Sequence, residues 1–370
     1  MSLARNITLH MPKRLEIGAG AIARVGEWAG DAGRVLVLAS PHTAGLVDRL
    51  GISGHVTVFD AIPGEPDIPC LEAALTAARD AQPDLVVGLG GGSVMDLAKL
   101  VAAMWDGEQG LADVAGPNRV AGRRSRLVQV ATTAGTGSEA GIRALITDPV
   151  AGNKIAVESP HLIADLAVLD PELTFSVPPA VTAATGIDAM AHCVEAFTNR
   201  KAHPVIDGFA RMGVDLVGRY LARAVQDGSD TEAREGLMLA SFYGGICLGP
   251  VNTAAGHALA YPLGTLLHLP HGLANAIIFP HVLAFNESVV PEKTAEVARA
   301  LGLDPADGLL PAAHRFCADL GVEMRLSAHG ASPDQLSRFA SDAHAIRRLM
   351  DNNPRDMSVE EALAIYHAAF

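Results

Sequence analysis

The chain has 370 residues, 49 % of them hydrophobic and 19 % charged, which is too long for one simple core and too apolar for general disorder, so two domains are expected. A formal net charge of −13 without any basic run excludes an electrostatic footprint for nucleic acid and disfavours an anionic membrane surface. No apolar run is long enough to span a membrane, the start lacks a secretory signal's apolar segment, and the four cysteines (Cys70, Cys193, Cys247, Cys317) form no CxxC, so a reducing cytoplasm is the expected location.

The first half alternates apolar, β-branched runs with helical patterns. Arg34–Ala39 reads as a buried strand ending in the turn Ser40-Pro41-His42, and His55–Phe59 as a second strand. A helix is predicted over Leu71–Ala81, after a Pro-rich loop. Asp84–Leu89 is the third strand, followed by Gly90-Gly91-Gly92-Ser93 and a helix from about Val94. Leu127–Ala131 is a further strand, leading into the polar loop Thr132 to Ser138. This repeat of strand, turn and helix predicts a mostly parallel sheet with helices on both faces. After Asp170-Pro171 the pattern turns almost wholly helical, and Ser176-Val177-Pro178-Pro179 breaks local structure. The expected organisation is an α/β dinucleotide-binding domain over 1–178 and an all-helical metal-binding and substrate domain over 179–370.

The triple glycine lies between a strand and a helix, where backbone N–H groups and the helix dipole favour an anion. It matches neither GxGxxG nor a P-loop, and a plain tight turn explains three glycines equally well. Asp96 and Lys99 follow, three residues apart on one helical face. Thr132, Thr133, Thr136 and Ser138 offer hydroxyl groups from the second loop, either to a ligand or as a capped turn. Two such loops at strand carboxyl ends suit a ligand lying across the sheet edge. Lys99 and Lys154 fall near these elements, though a surface role for Lys154 fits as well.

In the second half, Asp188 and His192 stand four apart, on one face of a helix. His257, His268, His271 and His281 follow within an otherwise apolar stretch. Any one of these is commonly a satisfied core residue; so many together point to a metal. One carboxylate with three imidazoles suits a divalent first-row ion, Fe(II) or Zn(II), with room for a substrate oxygen.

Taken in order, GLGGGSVMDLAKLVA, ATTAGTGSE, TGIDAMAHCVEAF and LPHGLANAIIFPHVLAFN resemble the iron-containing, or group III, alcohol dehydrogenase family over almost the whole chain. The resemblance implies the dehydroquinate synthase-like fold, a metal held by Asp188, His192, His257 and His271, and a homodimer. It places the cofactor pyrophosphate on Gly91, Gly92 and Ser93 with Asp96 on the next helix, and nicotinamide-cofactor contacts at Thr132, Thr136 and Lys154. His281 matches a further family position. Three departures stand out. Ser40 occupies the place of an acidic residue that holds the ribose 2′-OH, which admits NADP as well as NAD. Tyr261 replaces a histidine four residues after the third ligand, and its hydroxyl could take part in proton transfer. Arg143 lies at a pocket-lining position, where an inward guanidinium would favour an anionic substrate. The implied activity is metal-dependent, NAD(P)-linked interconversion of a small alcohol and its aldehyde or ketone. The rival readings are a maleylacetate reductase-like oxidoreductase, a lyase of the dehydroquinate synthase type, and a non-catalytic nucleotide-binding or metal-storage protein.

Overall fold

The structure, a computed structural model, describes residues 5–370. It divides into two compact units, Leu9–Ser176 and Val177–Phe370, with the described residues before Leu9 grouped with the second. The sequence expectation put those first residues in the α/β domain. Arg5 explains the difference: its guanidinium donates to the carbonyls of Lys201 and Pro250.

The first unit contains strands β1 (Arg14–Ile17), β2 (Arg34–Ala39), β3 (His55–Phe59), β4 (Leu85–Gly90), β5 (Gly116–Pro117), β6 (Arg126–Ala131), β7 (Arg143–Asp148), β8 (Asn153–Glu158) and β9 (Leu166–Leu169). Its helices are α1 (Arg24–Ala29), α2 (Ile68–Ala81), α3 (Gly92–Met104) and α4 (Leu111–Val114). Six strands pair in parallel in the order β1-β9-β6-β4-β2-β3, while β7 and β8 form an antiparallel hairpin extended by β5. Because side chains alternate along a strand, the apolar runs feed two cores. Val35, Val37, Val87, Val128 and Val130 pack on the face that carries Val25 of α1. Leu36, Leu38, Val86 and Leu127 pack on the other, with Leu71 and Leu75 of α2 and Leu97 and Val101 of α3.

The strand order places the site. From β3 the chain crosses to the opposite side of β2, so β2, β4 and β6 lie side by side. Ala39 pairs with Leu89, and Gly90 with Ala131, so the loops starting at Ser40, Gly91 and Thr132 leave adjacent carboxyl ends. Such a switch point is where open α/β sheets bind ligands. Helix α2 starts three residues before the sequence expectation, because the Asp67 carboxylate accepts the Cys70 N–H at 2.9 Å and Pro69 suits the first turn. Helix α3 starts at Gly92, with Gly91 as its cap and Gly90 ending β4, so the glycine run spans the junction from strand to helix.

The second unit begins with α5 (Pro179–Thr198), α6 (Pro204–Gln226), α7 (Thr231–Leu248), α8 (Ala255–Leu267) and α9 (His271–Glu287), followed by shorter helices. Helix α5 runs through the middle of this bundle, against α6, α7, α8 and α9. Every residue from 186 to 198 is buried. A helix enclosed on all sides must partner any polar group it carries.

Glu139, in the turn Ser138–Ala140 of the first unit, is 1 % exposed, and its burial pushes the carboxyl up to about 7 against its own backbone hydrogen bond and Lys99. A folded value above the unfolded one means that the folded state holds the proton more tightly. The stability this contributes is complete below about pH 4.5 and is lost as pH rises towards 7. Glu139→Gln carries no such charge. We expect the variant to gain on the order of 3 kcal/mol relative to the parent between pH 4 and pH 8, measured by urea unfolding at both values.

Candidate metal centre and nucleotide cradle

Helix α5 presents Asp188 and His192 one turn apart, α8 presents His257 from its first turn, and α9 begins at His271. The link from α8 to α9 is short. His268 ends α8 in the left-handed region and Pro270 precedes α9, which turns the chain so that His271 faces back to His257. Their ring centroids are 5.3 Å apart, and those of His192 and His257 are 4.7 Å apart.

One atom gathers the cluster. Asp188 Oδ1 lies 3.8 Å from His192 Nε2, 3.5 Å from His257 Nε2 and 3.6 Å from His271 Nε2. One donor atom from each residue falls within 4.8 Å of all the others. Four ligand atoms about 2.1 Å from an ion in a tetrahedron would be separated by about 3.4 Å, so the spacing fits a divalent first-row metal. Asn275, one turn into α9, supports this fit. Its amide nitrogen donates to Asp188 Oδ1 at 2.7 Å and lies 3.2 Å from both His257 Nε2 and His271 Nε2, while its buried Oδ1 has no partner. Acceptor lone pairs thus converge where positive charge is wanted. Burial would raise the Asp188 carboxyl, but the surrounding imidazoles outweigh it and hold it well below the usual range. Burial would likewise lower His257, but Glu195 and Asp188 push it up to about 10.

Two further residues complete the centre, and the sequence reading singled out neither. Glu195 accepts from His257, and Asn275 bridges Asp188, His257 and His271. Glu195 carried a signal: at three residues from His192 and seven from Asp188 it shares their helix face. Tyr261 stacks on the His271 ring, with centroids 5.8 Å apart and planes at 24°. His281 lies elsewhere on α9, buried, and burial together with His314 pulls it down to about 4.

In the first unit, Gly91 and Gly92 open α3 against the threonine loop. A Cβ on Gly92 would sit 2.6 Å from Thr136 Oγ1 and Cγ2, and one on Gly91 would sit 3.1 Å from Thr133 Oγ1. Glycine there lets the two loops touch and leaves the helix's first N–H groups bare. Thr132 is buried, with its N–H donating to the Gly90 carbonyl at 3.1 Å. Thr136 Oγ1 accepts the Ser138 N–H at 3.2 Å. The remaining candidates are tied into the protein. Ser93 Oγ donates to the Gly64 carbonyl. Asp96 accepts Ser138 Oγ–H at 2.6 Å and Leu145 N–H at 2.9 Å, clamping the threonine loop and β7 to α3. Lys99 is fully buried and donates to Ser138 Oγ and the Arg143 carbonyl. Ser40 Oγ lies 3.2 Å from Thr43 Oγ1, which donates to the Leu89 carbonyl. Lys154 pairs with Glu65 at 3.4 Å, and the Arg143 guanidinium pairs with Glu158 at 2.8 Å across the hairpin.

The model of iron-containing alcohol dehydrogenases matches residues 12–171, and that of the C-terminal part of the Fe-containing alcohol dehydrogenase family matches 182–370. The chain belongs to this family. It is 35 % identical to long-chain-alcohol dehydrogenase 1 of Geobacillus thermodenitrificans, over 100 % of this chain and 98 % of that one. A 1,3-propanediol oxidoreductase crystal structure superposes with a TM-score of 0.94 at 30 % identity, covering 99 % of this chain and 100 % of the other. Sulfoacetaldehyde reductase from Bifidobacterium kashiwanohense, solved with NAD+, superposes with a TM-score of 0.90 at 26 % identity, covering 99 % of each. With the Asp/His cluster in place, this family member is a metal-dependent alcohol/aldehyde oxidoreductase. Among the described residues no helix is long and apolar enough to cross a membrane.

Two substitutions probe the two halves separately. Asp188→Asn removes the shared oxygen's charge, and we expect at least a hundredfold loss of Zn(II) or Co(II) affinity by calorimetry, with NADH binding retained. Gly92→Ala forces Thr136 away, and we expect NADH affinity by fluorescence to fall about tenfold or more while metal affinity stays unchanged.

Proposed function

We propose that the protein is an NAD(P)-linked dehydrogenase of short, neutral alcohols, working equally as an aldehyde reductase. The observation that carries the reading is the convergence of three imidazoles and the Asn275 amide on one buried carboxylate oxygen, in a chain that also has a bare helix start at a sheet switch point. When bound, a divalent metal would supply Lewis acidity at the alcohol oxygen, and the nicotinamide would supply hydride exchange. Asp188, His192, His257 and His271 would hold the metal. The N–H groups at Gly91, Gly92 and Ser93 would hold the pyrophosphate, with Thr132, Thr133 and Thr136 beside it and Asp96 fixing the loop that carries them.

Fe(II) is the proposed resident metal, given the family, and the N₃O donor set suits Zn(II) as well. NADP(H) is proposed as an accepted cofactor alongside NAD(H), because β2 ends in Ser40, whose hydroxyl brings no charge to repel a 2′-phosphate. A neutral substrate is proposed because the Arg143 guanidinium already has a carboxylate partner in Glu158. The free thiols at all four cysteines support a reducing, cytoplasmic setting.

The test is anaerobic turnover of the Fe(II)-loaded protein, followed at 340 nm with NADH and NADPH against short neutral and anionic aldehydes. We expect EDTA-sensitive loss of absorbance with neutral aldehydes and with both cofactors. Preference for anionic aldehydes would return Arg143 to the pocket, and no turnover with any pair would overturn the reading. Tyr261→Phe keeps the ring on His271 but removes the hydroxyl. We expect kcat to fall roughly tenfold or more with metal affinity unchanged; an unaltered rate and pH profile would leave Tyr261 a packing role only.

A further inference from the structure

Helix α8 has no N-terminal cap of its own. Its cap position is Ala254, and the preceding loop passes through Asn252 in the left-handed region. The first N–H groups of α8 are instead taken by Glu195, which projects from α5 and is 6 % exposed. Glu195 Oε2 accepts the Ala254 N–H, and Oε1 accepts the His257 N–H at 3.1 Å. A carboxylate at this end also meets the positive pole of the helix dipole. The same Oε1 lies 2.7 Å from His257 Nδ1. With Nδ1–H donated to Glu195, Nε2, which faces Asp188 and the other donors, is the nitrogen on which a metal would replace the proton. Gly256 makes this approach feasible, because a Cβ there would lie 2.4 Å from Glu195 Oε1.

We propose that Glu195 is the positioning residue of the metal centre: one carboxylate starts the helix that carries His257 and fixes that imidazole's orientation and tautomer. The proposal rests on the metal reading above. It differs from a plain helix cap in what it predicts for the metal. Glu195→Ala is a poor probe, since Glu195 already lines a cavity of about 20 Å³ with Thr198, Asn275 and Asn286, which truncation would enlarge. Glu195→Gln keeps the volume but has one acceptor oxygen where two are used, and an NH₂ group that must face a backbone N–H or the imidazole.

The experiment is titration of metal-free protein with Co(II) and Zn(II), together with ¹⁵N NMR of the histidine rings. For Glu195→Gln we expect a 10- to 100-fold loss of affinity for both ions, an altered Co(II) visible spectrum and loss of the Nδ1-protonated pattern of His257. Far-UV circular dichroism and NADH affinity should stay at parent values. Affinity within twofold of the parent, whatever happens to Tm, would overturn the proposal and leave Glu195 a cap alone. Should the glutamine variant not fold, Glu195→Asp keeps the charge but withdraws it by one methylene. Its affinity should then fall at least fivefold, and parent-like affinity would again overturn the proposal. If the parent and Asp188→Asn bind Co(II) equally weakly, the metal reading itself fails and takes this inference with it.

Discussion

A carboxylate enclosed in protein must be compensated where it lies, and Asp188 is 3 % exposed, in the stretch of α5 from 186 to 198 that is buried throughout. Leaving such an ion unpaired costs several kcal/mol. The compensation comes from three different helices to a single oxygen: His192 from α5, His257 from α8, and His271 with Asn275 from α9. That requirement sets the register of α8 and α9 against α5. A slip of one residue in either helix turns its side chains by about 100° and removes a partner from Oδ1. The Asp/His cluster is therefore also a packing constraint on the bundle core.

The first unit uses the same device with the opposite sign. Lys99 is fully buried in the face of α3, where burial lowers its affinity for a proton and Asp96 and Glu139 oppose that. Its ammonium is satisfied by Ser138 Oγ and the Arg143 carbonyl, and Asp96 holds the same serine. One side-chain network thus joins α3, the threonine loop and β7. The two loops that leave neighbouring strand ends are held in contact by it, with Gly92 providing the clearance. In each unit a buried charge fixes the backbone around the functional groups.

Much of this was legible in the sequence, and the parts that were not have physical reasons. Strand β2 coincides with the apolar run Arg34–Ala39, because a strand covered on both faces is apolar throughout, whereas β3, a half-exposed edge strand, coincides with His55–Phe59 through its β-branched Val56, Thr57 and Val58. Strand β9 is apolar throughout but only four residues long, β1 is equally short and mixed in polarity, and in the hairpin β7–β8 the polar residues Arg143, Asp148, Asn153, Lys154 and Glu158 make it read as loop. The convergence of Asp188, His192, His257 and His271 was legible because histidines concentrate in an apolar stretch beside a carboxylate. Glu195 and Asn275 were not, since both act through other residues, and a lone Glu or Asn on a helix face has many ordinary uses. Asp96 and Ser93 have a role the sequence did not suggest: their side chains tie together the loops around α3.

Helix geometry also determines what the centre does not contain. Cys193 adjoins His192 in sequence, but one residue is about 100° of rotation, so its thiol turns towards α7, where it faces the Ala240 carbonyl at 3.8 Å. Burial pushes that thiol up to about 12, which keeps it protonated. Among the described residues no thiol joins the cluster, which offers three imidazole nitrogens and one carboxylate oxygen. Thiolate would draw the site towards soft ions and structural closure. Imidazole and carboxylate leave it suited to borderline divalent ions that can still accept a substrate oxygen. Across such ions raw affinity follows a general order, so geometry, ligand type and metal availability together would decide which one is bound.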